Sequence, residues 1–97
     1  MLKKCVKIKV LGEVQGVSYR SFIQKSASEL SIEGTVRNES DGSVLILACG
    51  PSDKLDDFLD FVYKGSAKAK VKDVIVEPMM NTKDFRGVFR LIGESNA

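Results

Sequence analysis

The stretch EGTVRNESDGSVLILACG, residues 33–50, places two strand-like segments on either side of a turn. Its first part, Glu33 to Asn38, predicts a short strand, and residues 43–50 (SVLILACG) predict a fully apolar strand. The Glu-Ser-Asp-Gly sequence at positions 39–42 is typical of a turn. The stretch therefore predicts a β-hairpin, and the apolar character of its second strand favours a central position in a sheet.

Periodic apolar residues on both sides of this hairpin predict three more strands and two helices. Alternation of apolar residues with lysines indicates the first strand, and apolar residues at i, i+3, i+4 and i+7 indicate the helices. Ser52 is suited to cap the start of the second helix and Gly65 to close its end. The further predicted elements are a strand over 6–10, a helix over about 21–31, a second helix that follows Ser52 and is closed by Gly65, and strands over 70–77 and 85–92.

This order of elements predicts the fold class. Two helices that cover one face of an antiparallel sheet bury all the apolar stripes economically. The order β-α-β-β-α-β, with a short final strand added, is that of an α+β ferredoxin-like two-layer sandwich. We expect the whole chain, residues 1–97, to form one domain, with residues 93–97 as a loose tail.

The two cysteines, Cys5 and Cys49, are predicted to be free thiols. We expect the first and third strands to lie side by side and parallel, with Cys5 near the beginning of one and Cys49 near the end of the other. At about 3.3 Å per residue, this places the two sulfur atoms beyond the reach of a disulfide. The cysteines show no CxxC spacing, so redox and metal motifs are not supported.

The composition excludes several classes of function. The chain has no histidine, which removes His-based triads and most zinc sites, so we expect no metal and no cofactor. A net charge of +2 is nearly balanced and does not favour a nucleic-acid partner. No run of 18 apolar residues is present, so we expect no membrane partner. The remaining expectations are a cytoplasmic location and a monomer.

The stretch GEVQGVSYRSF, residues 12–22, contains two glycines and Arg20 just before the first predicted helix. Gly16 permits a bend, and amide N–H groups that converge in such a bend bind anions together with the start of a helix. Arg20 would add a planar fork of donors suited to phosphate. A purely structural bend is also compatible with the stretch, and the residues alone favour that simpler interpretation.

Two longer motifs favour the anion site. GEVQGVSYR resembles the acylphosphatase signature Gly-x-Val-Gln-Gly-Val-x-Phe/Tyr-Arg at every fixed position, and GTVRNESDGSVLILACG, residues 34–50, resembles the second signature of that family. The chain departs from the family at Thr35, where many members carry an aromatic residue. It departs again at Gly65-Ser66, in place of a frequent Gly-Pro. Both departures concern packing or loop rigidity.

The resemblance implies a ferredoxin-like fold and an activity. The family hydrolyses the carboxyl-phosphate bond of acyl phosphates to a carboxylate and inorganic phosphate, without a metal. The resemblance assigns phosphoryl binding to Arg20 and water positioning to the side chain of Asn38. It assigns the phosphate cradle to the backbone N–H groups of Gln15, Gly16, Val17, Ser18, Tyr19 and Arg20.

Two other functions share this fold. A small regulatory domain would keep the anion cradle and lack turnover. A nucleic-acid-binding module would stack bases on Tyr19, Phe85 or Phe89, but RNA-recognition domains carry such aromatics on a central strand. The central strand here, VLILACG, has none. We therefore expect an acylphosphatase, with the regulatory domain as the alternative.

Overall fold

The chain folds into five strands and two helices across residues 3–80 and 83–93, which the computed structural model describes. The predicted order of elements is confirmed, with α1 beginning two residues earlier than expected. The elements are β1 (Lys4–Glu13), α1 (Tyr19–Glu29), β2 (Glu33–Asn38), β3 (Val44–Gly50), α2 (Ser52–Lys64), β4 (Lys70–Pro78) and β5 (Phe89–Ile92).

The sheet has the strand order β4-β1-β3-β2-β5, with β3 at its centre as expected. Three neighbouring pairs are antiparallel, but β5 lies parallel to β2, so the sheet is mixed and the expectation of a wholly antiparallel sheet was wrong at this edge. β5 is also shorter than predicted. Arg86 and Gly87 adopt left-handed backbone conformations, with φ of 59° and 73°, which keeps the strand from starting at residue 85.

Both helices cover one face of the sheet, as the fold class requires. Alternate residues of β1, β2 and β3 point into the layer between sheet and helices, and the apolar stripes of α1 and α2 meet them there. The fully buried core residues include Ile8, Val10, Ile23, Ala27, Val36, Val44, Ile46, Phe58 and Val62. Neither helix in the described ranges is long and apolar enough to cross a membrane.

The start of α2 differs from the prediction, whereas its end agrees with it. The helix begins at Ser52 itself, with Pro51 as the N-cap residue and no side-chain cap. The prediction that Ser52 caps the helix was wrong, because a residue that already has helical geometry cannot cap its own first turn. Gly65 does end α2, with φ of 74° and its N–H donating to the carbonyl of Phe61 at 2.9 Å.

The two cysteines form a disulfide, so the prediction of free thiols was wrong. The error lies in strand direction: β1 and β3 are adjacent but antiparallel, which places Cys5 directly opposite Cys49 with their Cα atoms 4.0 Å apart. Both residues lie on the sheet face away from the helices. The carbonyl oxygen of Lys83 lies 3.9 Å from the Cys49 sulfur, so the segment that leads to β5 covers this end of the sheet.

The predicted loose tail lies outside the described residues from position 94 onward.

Reduction of the disulfide is expected to lower the free energy of unfolding by about 2–4 kcal/mol, because the bond closes a long loop in the unfolded chain. The two cysteines are 44 residues apart. Urea denaturation of the oxidised and of the dithiothreitol-treated protein measures the difference.

The variant with both Cys5→Ala and Cys49→Ala is the control, because its unfolding midpoint should not respond to dithiothreitol. Alkylation of the non-reduced protein should add no mass. Complete alkylation of both thiols before reduction would contradict the disulfide.

Candidate active site

The connection between β1 and α1 is the loop of residues 14–18, whose backbone curls before the helix begins. Gly16 and Ser18 both adopt left-handed conformations, with φ of 71° and 61°. The curl is anchored at its two ends, since Val14 and Tyr19 are each 1% exposed in the core. Alternation of left-handed residues with others turns successive amide groups toward one side and forms an anion-binding concavity.

The amide N–H groups of this loop are available to a ligand. Within residues 3–80 and 83–93, the N–H groups of residues 15–19 donate to no carbonyl or side chain of the protein. Tyr19 begins α1, so the positive end of the helix dipole coincides with these N–H groups. An anion placed at the concavity would meet both.

Arg20 is the second residue of α1 and is almost fully buried, with 4% of its surface exposed. Its Nη1 donates to the carbonyl oxygen of Ile92 at 2.6 Å. This bond ties the guanidinium to the end of β5. The arginine therefore sits at the start of the helix in a fixed position, next in sequence to the loop.

The sheet brings Asn38 to the same end of the molecule. Val44 in β3 pairs with Val10 of β1 on one side and with Asn38 of β2 on the other. The exit of β1 into the loop and the last residue of β2 therefore lie at one end of the sheet. Asn38 also points to the same face as Val36, which is fully buried against the helices.

The side chain of Gln15 joins the loop to the β2–β3 turn. Its Nε2 donates to the carbonyl oxygens of Glu39 at 2.8 Å and of Ser43 at 2.9 Å. Because Glu39 follows Asn38 directly, these two bonds hold the loop beside Asn38. From the sequence, Gln15 was predicted to contribute only its backbone N–H; its side-chain role was not predicted, although a glutamine at a fixed position of the signature was a signal for it.

Asn38 carries a buried oxygen without a partner. Its Oδ1 is inaccessible to solvent and has no hydrogen-bond donor among the described residues. An unsatisfied buried acceptor costs about 1–3 kcal/mol. A bound water or ligand that donates a hydrogen bond to Oδ1 would remove this cost.

The β2–β3 turn is held by the carboxylate of Asp41. Its Oδ1 accepts hydrogen bonds from the hydroxyl and the N–H of Ser43, and its Oδ2 lies 2.9 Å from Nζ of Lys9. The hydrogen bond from the Ser43 hydroxyl is the main reason that the pKa of Asp41 lies well below its usual value. The turn is thus held at neutral pH, and this contribution declines progressively as the pH falls below the ordinary aspartate pKa of about 3.9.

Tyr19 anchors the start of α1 to the end of α2. Its hydroxyl donates to the carbonyl oxygen of Val62 at 2.8 Å. Burial raises the pKa of the Tyr19 phenol well above its ordinary value, so the hydroxyl stays protonated and donates at any physiological pH. This contact uses the side chain, whereas only the backbone N–H of Tyr19 was predicted to belong to the phosphate cradle.

The residues predicted for the site thus lie at one end of the sheet, in a loop with available N–H donors, a buried arginine and a buried amide oxygen. In the part of the chain that the structure describes, no group of three or more cysteine, aspartate or glutamate side chains is arranged to hold a metal ion. The arrangement is suited to bind an oxyanion by hydrogen bonds and positive charge.

Comparison with known proteins identifies the class. The sequence model of the acylphosphatase family matches residues 6–90. The chain is 49% identical over 75 residues to the acylphosphatase of Oceanobacillus iheyensis, covering 76% of this chain and 82% of that protein. It is 43% identical over 75 residues to the acylphosphatase of Salinibacter ruber, covering 77% and 79% respectively.

The fold agrees with the same class. The crystal structure of acylphosphatase from Bacillus subtilis superposes with a TM-score of 0.89 at 36% identity, covering 93% of this chain and 99% of that one. The chain therefore belongs to the acylphosphatase family, and the resemblance of its two motifs is confirmed.

Gln15→Glu is expected to destabilise the protein at neutral pH by about 1–3 kcal/mol, because carboxylate oxygens would then face two carbonyl oxygens. Because the folded protein disfavours this carboxylate, the pKa of the new glutamate lies above its ordinary value of about 4.3. The deficit relative to the wild type should therefore shrink as the pH falls through this raised pKa and be smallest below about 4.3, where the protonated side chain again offers one donor. Urea denaturation as a function of pH measures both effects.

Gln24→Glu is the matched control, because Gln24 donates to a single carbonyl, that of Phe89. It should cost less stability and leave substrate turnover unchanged. Equal stability of Gln15→Glu and wild type at neutral pH would show that the two bonds do not hold the loop.

Proposed function

We propose that the loop Gln15–Arg20 holds the phosphoryl group of an acyl phosphate while Asn38 positions the water that attacks it. As a member of the acylphosphatase family, the chain is a hydrolase that acts on acid anhydrides. Its substrates are small acyl phosphates, and its products are a carboxylate and inorganic phosphate. What remains to be assigned is which residues carry the reaction.

The available N–H groups of residues 15–19 carry the proposal for phosphoryl binding. Phosphate oxygens accept several hydrogen bonds and carry negative charge, so they suit both the loop amides and the N-terminus of α1. The guanidinium of Arg20, which extends from the start of α1 to the end of β5, adds a permanent positive charge. Charge that develops on the equatorial phosphoryl oxygens in the transition state would be stabilised by these preorganised donors.

The unpartnered Oδ1 of Asn38 supports its role toward water, with a rotation of the side-chain amide required to turn this buried oxygen toward the loop. A water that donates one O–H to this oxygen would have its lone pair oriented away from Asn38. If the phosphoryl group occupies the neighbouring loop, that lone pair faces phosphorus. The side chain thus orients the nucleophile without removing its proton.

The reaction needs no histidine and no protein nucleophile. The water oxygen forms a bond to phosphorus, and the bond between phosphorus and the acyl oxygen breaks with its electron pair. A carboxylate is a stable leaving group, so no strong general acid is required. We propose that the water proton passes to a phosphoryl oxygen of the substrate, which accounts for the hydrogen in the phosphate product.

The competing functions receive less support. The family relatives are named for catalysis, so a regulatory domain without turnover is not favoured. For a nucleic-acid partner, Tyr19, Phe85 or Phe89 would have to stack bases, but Tyr19 and Phe89 are 1% and 5% exposed, which leaves only the half-buried Phe85. We therefore propose that nucleic acid is not a partner.

We further propose a monomer, as the sequence predicts. A cytoplasmic location stays a prediction. Disulfides are rare in that compartment, so a Cys5–Cys49 bond would have to persist there against reducing thiols.

Hydrolysis of benzoyl phosphate by the purified wild-type protein is the direct test of the activity. We expect turnover without added metal, and competitive inhibition by inorganic phosphate because product and phosphoryl group share one site. A folded protein that neither hydrolyses benzoyl phosphate nor binds phosphate would refute the proposed function.

Arg20→Ala is expected to lower kcat/KM by about 10³–10⁵, because it removes a charge that stabilises the transferring phosphoryl group. Arg20→Lys should recover little, since an ammonium group cannot reproduce the planar fork of donors. Steady-state kinetics with benzoyl phosphate, on samples shown to be folded by circular dichroism, measure the loss.

Arg37→Ala is the matched control, because Arg37 is an exposed arginine of β2. Its Nε lies 3.8 Å from the Glu39 carboxylate. The kcat/KM of this variant should stay within about twofold of wild type, as for an ordinary surface substitution. An Arg20→Lys variant with wild-type kinetics would show that the fork is not needed.

Asn38→Ala is expected to lower kcat by about 10²–10³, the usual cost of losing one preorganised group. The inhibition constant of inorganic phosphate should not change, because the loop and Arg20 remain. Initial rates measured over a series of phosphate concentrations give both quantities. Loss of phosphate affinity in parallel with kcat would assign Asn38 to binding instead of water positioning.

A further inference from the structure

The connection between α2 and β4 contacts the loop of residues 14–18 through the side chain of Ser66. Ser66, the first residue after Gly65, donates its hydroxyl hydrogen to the carbonyl oxygen of Val17 at 2.9 Å. The two residues are 49 positions apart and the contact is half-buried. Residues 16–18 and 66–68 together line an open cleft at this contact.

Because the peptide group is planar, this contact with the Val17 carbonyl also determines the direction of the N–H group on the other side of the same peptide. In a trans peptide the C=O and the N–H point in opposite directions, and the described residues contain no cis peptide. The Val17 carbonyl and the Ser18 N–H belong to one peptide group. A bond that fixes the carbonyl toward Ser66 therefore fixes the Ser18 N–H away from it.

Ser18 needs such support. A residue other than glycine at φ of 61° is in a left-handed conformation that costs about 1–2 kcal/mol. Rotation of the Val17–Ser18 peptide would relieve the cost and redirect the N–H. Conformations of this kind persist when surrounding contacts hold them, and they are frequent at ligand sites.

Ser66 is itself held on a rigid support. The N–H of the preceding residue, Gly65, donates to Phe61 at the end of α2, and the carbonyl of Ser66 accepts a bond from the N–H of Ala69 at 3.1 Å. The backbone at Ser66 is thus fixed on both sides. The hydroxyl keeps only the rotation about its own side-chain bonds.

We propose that Ser66 is a positioning residue for phosphoryl binding: its hydroxyl locks the Val17–Ser18 peptide so that the Ser18 N–H faces the bound phosphoryl group. The inference rests on the proposed function of the loop. Ser66 does not touch the substrate and acts only through the loop backbone.

The test compares Ser66→Ala, Ser66→Thr and wild type. Ser66→Ala is expected to raise the inhibition constant of inorganic phosphate about 10-fold, because it releases one hydrogen-bond donor to an anion. It should also lower kcat for benzoyl phosphate about 10- to 100-fold, because the phosphoryl group is then held less accurately. Ser66→Thr keeps the hydroxyl and should restore both constants to within a few-fold of wild type.

Ser26→Ala is the matched control for loss of a serine hydroxyl. It removes a hydroxyl that also donates to a backbone carbonyl, that of Phe22 at 2.8 Å, but inside α1 and away from the loop. Its melting temperature should change little because alanine favours the helix, and its phosphate inhibition constant and kcat should stay at wild-type values. This separates loop positioning from the mere loss of a hydroxyl-to-carbonyl bond.

The amide ¹⁵N–¹H spectrum gives a readout independent of activity. On titration with inorganic phosphate, the Ser18 signal should shift strongly in wild type and in Ser66→Thr and only weakly in Ser66→Ala. Wild-type constants and a wild-type Ser18 shift in Ser66→Ala would overturn the role of Ser66 while leaving the proposed function intact. Failure of the wild-type protein to bind phosphate at all would overturn both.

Discussion

In the connection between β1 and α1, a short run of peptide N–H groups makes no hydrogen bond to the described part of the protein, and contacts from the rest of the fold must hold it in that state. Unpaired amides are not stable as a free loop, because the chain would turn them toward its own carbonyls. Here the loop of residues 14–18 is held from outside. Side chains make the bonds: Gln15 to the β2–β3 turn, Tyr19 to α2, and the hydroxyl of Ser66 to the loop carbonyl of Val17.

The ferredoxin-like sheet supplies the frame for these bonds. The antiparallel pairing of β3 with both β1 and β2 places the end of β1 and the end of β2 at one edge of the core. The loop that follows β1 and the asparagine that ends β2 therefore meet without any side chain needing to reach across the molecule. The start of α1 then adds its dipole and Arg20 at the same place.

Much of this arrangement could be predicted from sequence, for definable reasons. Apolar residues alternate with lysines in β1 and recur at helical spacing in α2, because one face of each element is buried. The elements and the fold class could therefore be predicted from this periodicity. Arg20, Asn38 and the loop residues came from the two family motifs. Their proximity in space agrees with the motifs, while their roles in the reaction remain proposals.

Three features escaped prediction because they depend on direction or on distant contacts. The Cys5–Cys49 disulfide required the relative direction of β1 and β3, which periodicity does not contain. The parallel pairing of β5 depended on where a long connection returns to the sheet. The hydroxyl contact of Ser66 joins residues 49 positions apart, and a serine after a helix-ending glycine carries no signal for it.

Phosphate binding by the loop amides is tested most directly by a titration of ¹⁵N-labelled wild-type protein with inorganic phosphate, followed residue by residue. Binding by the loop predicts that the largest amide shifts occur at residues 15–20. It also predicts that they saturate at the concentration that inhibits hydrolysis of benzoyl phosphate. Unchanged amide shifts in the loop, or shifts that saturate far from the inhibitory concentration, would contradict phosphate binding by the loop.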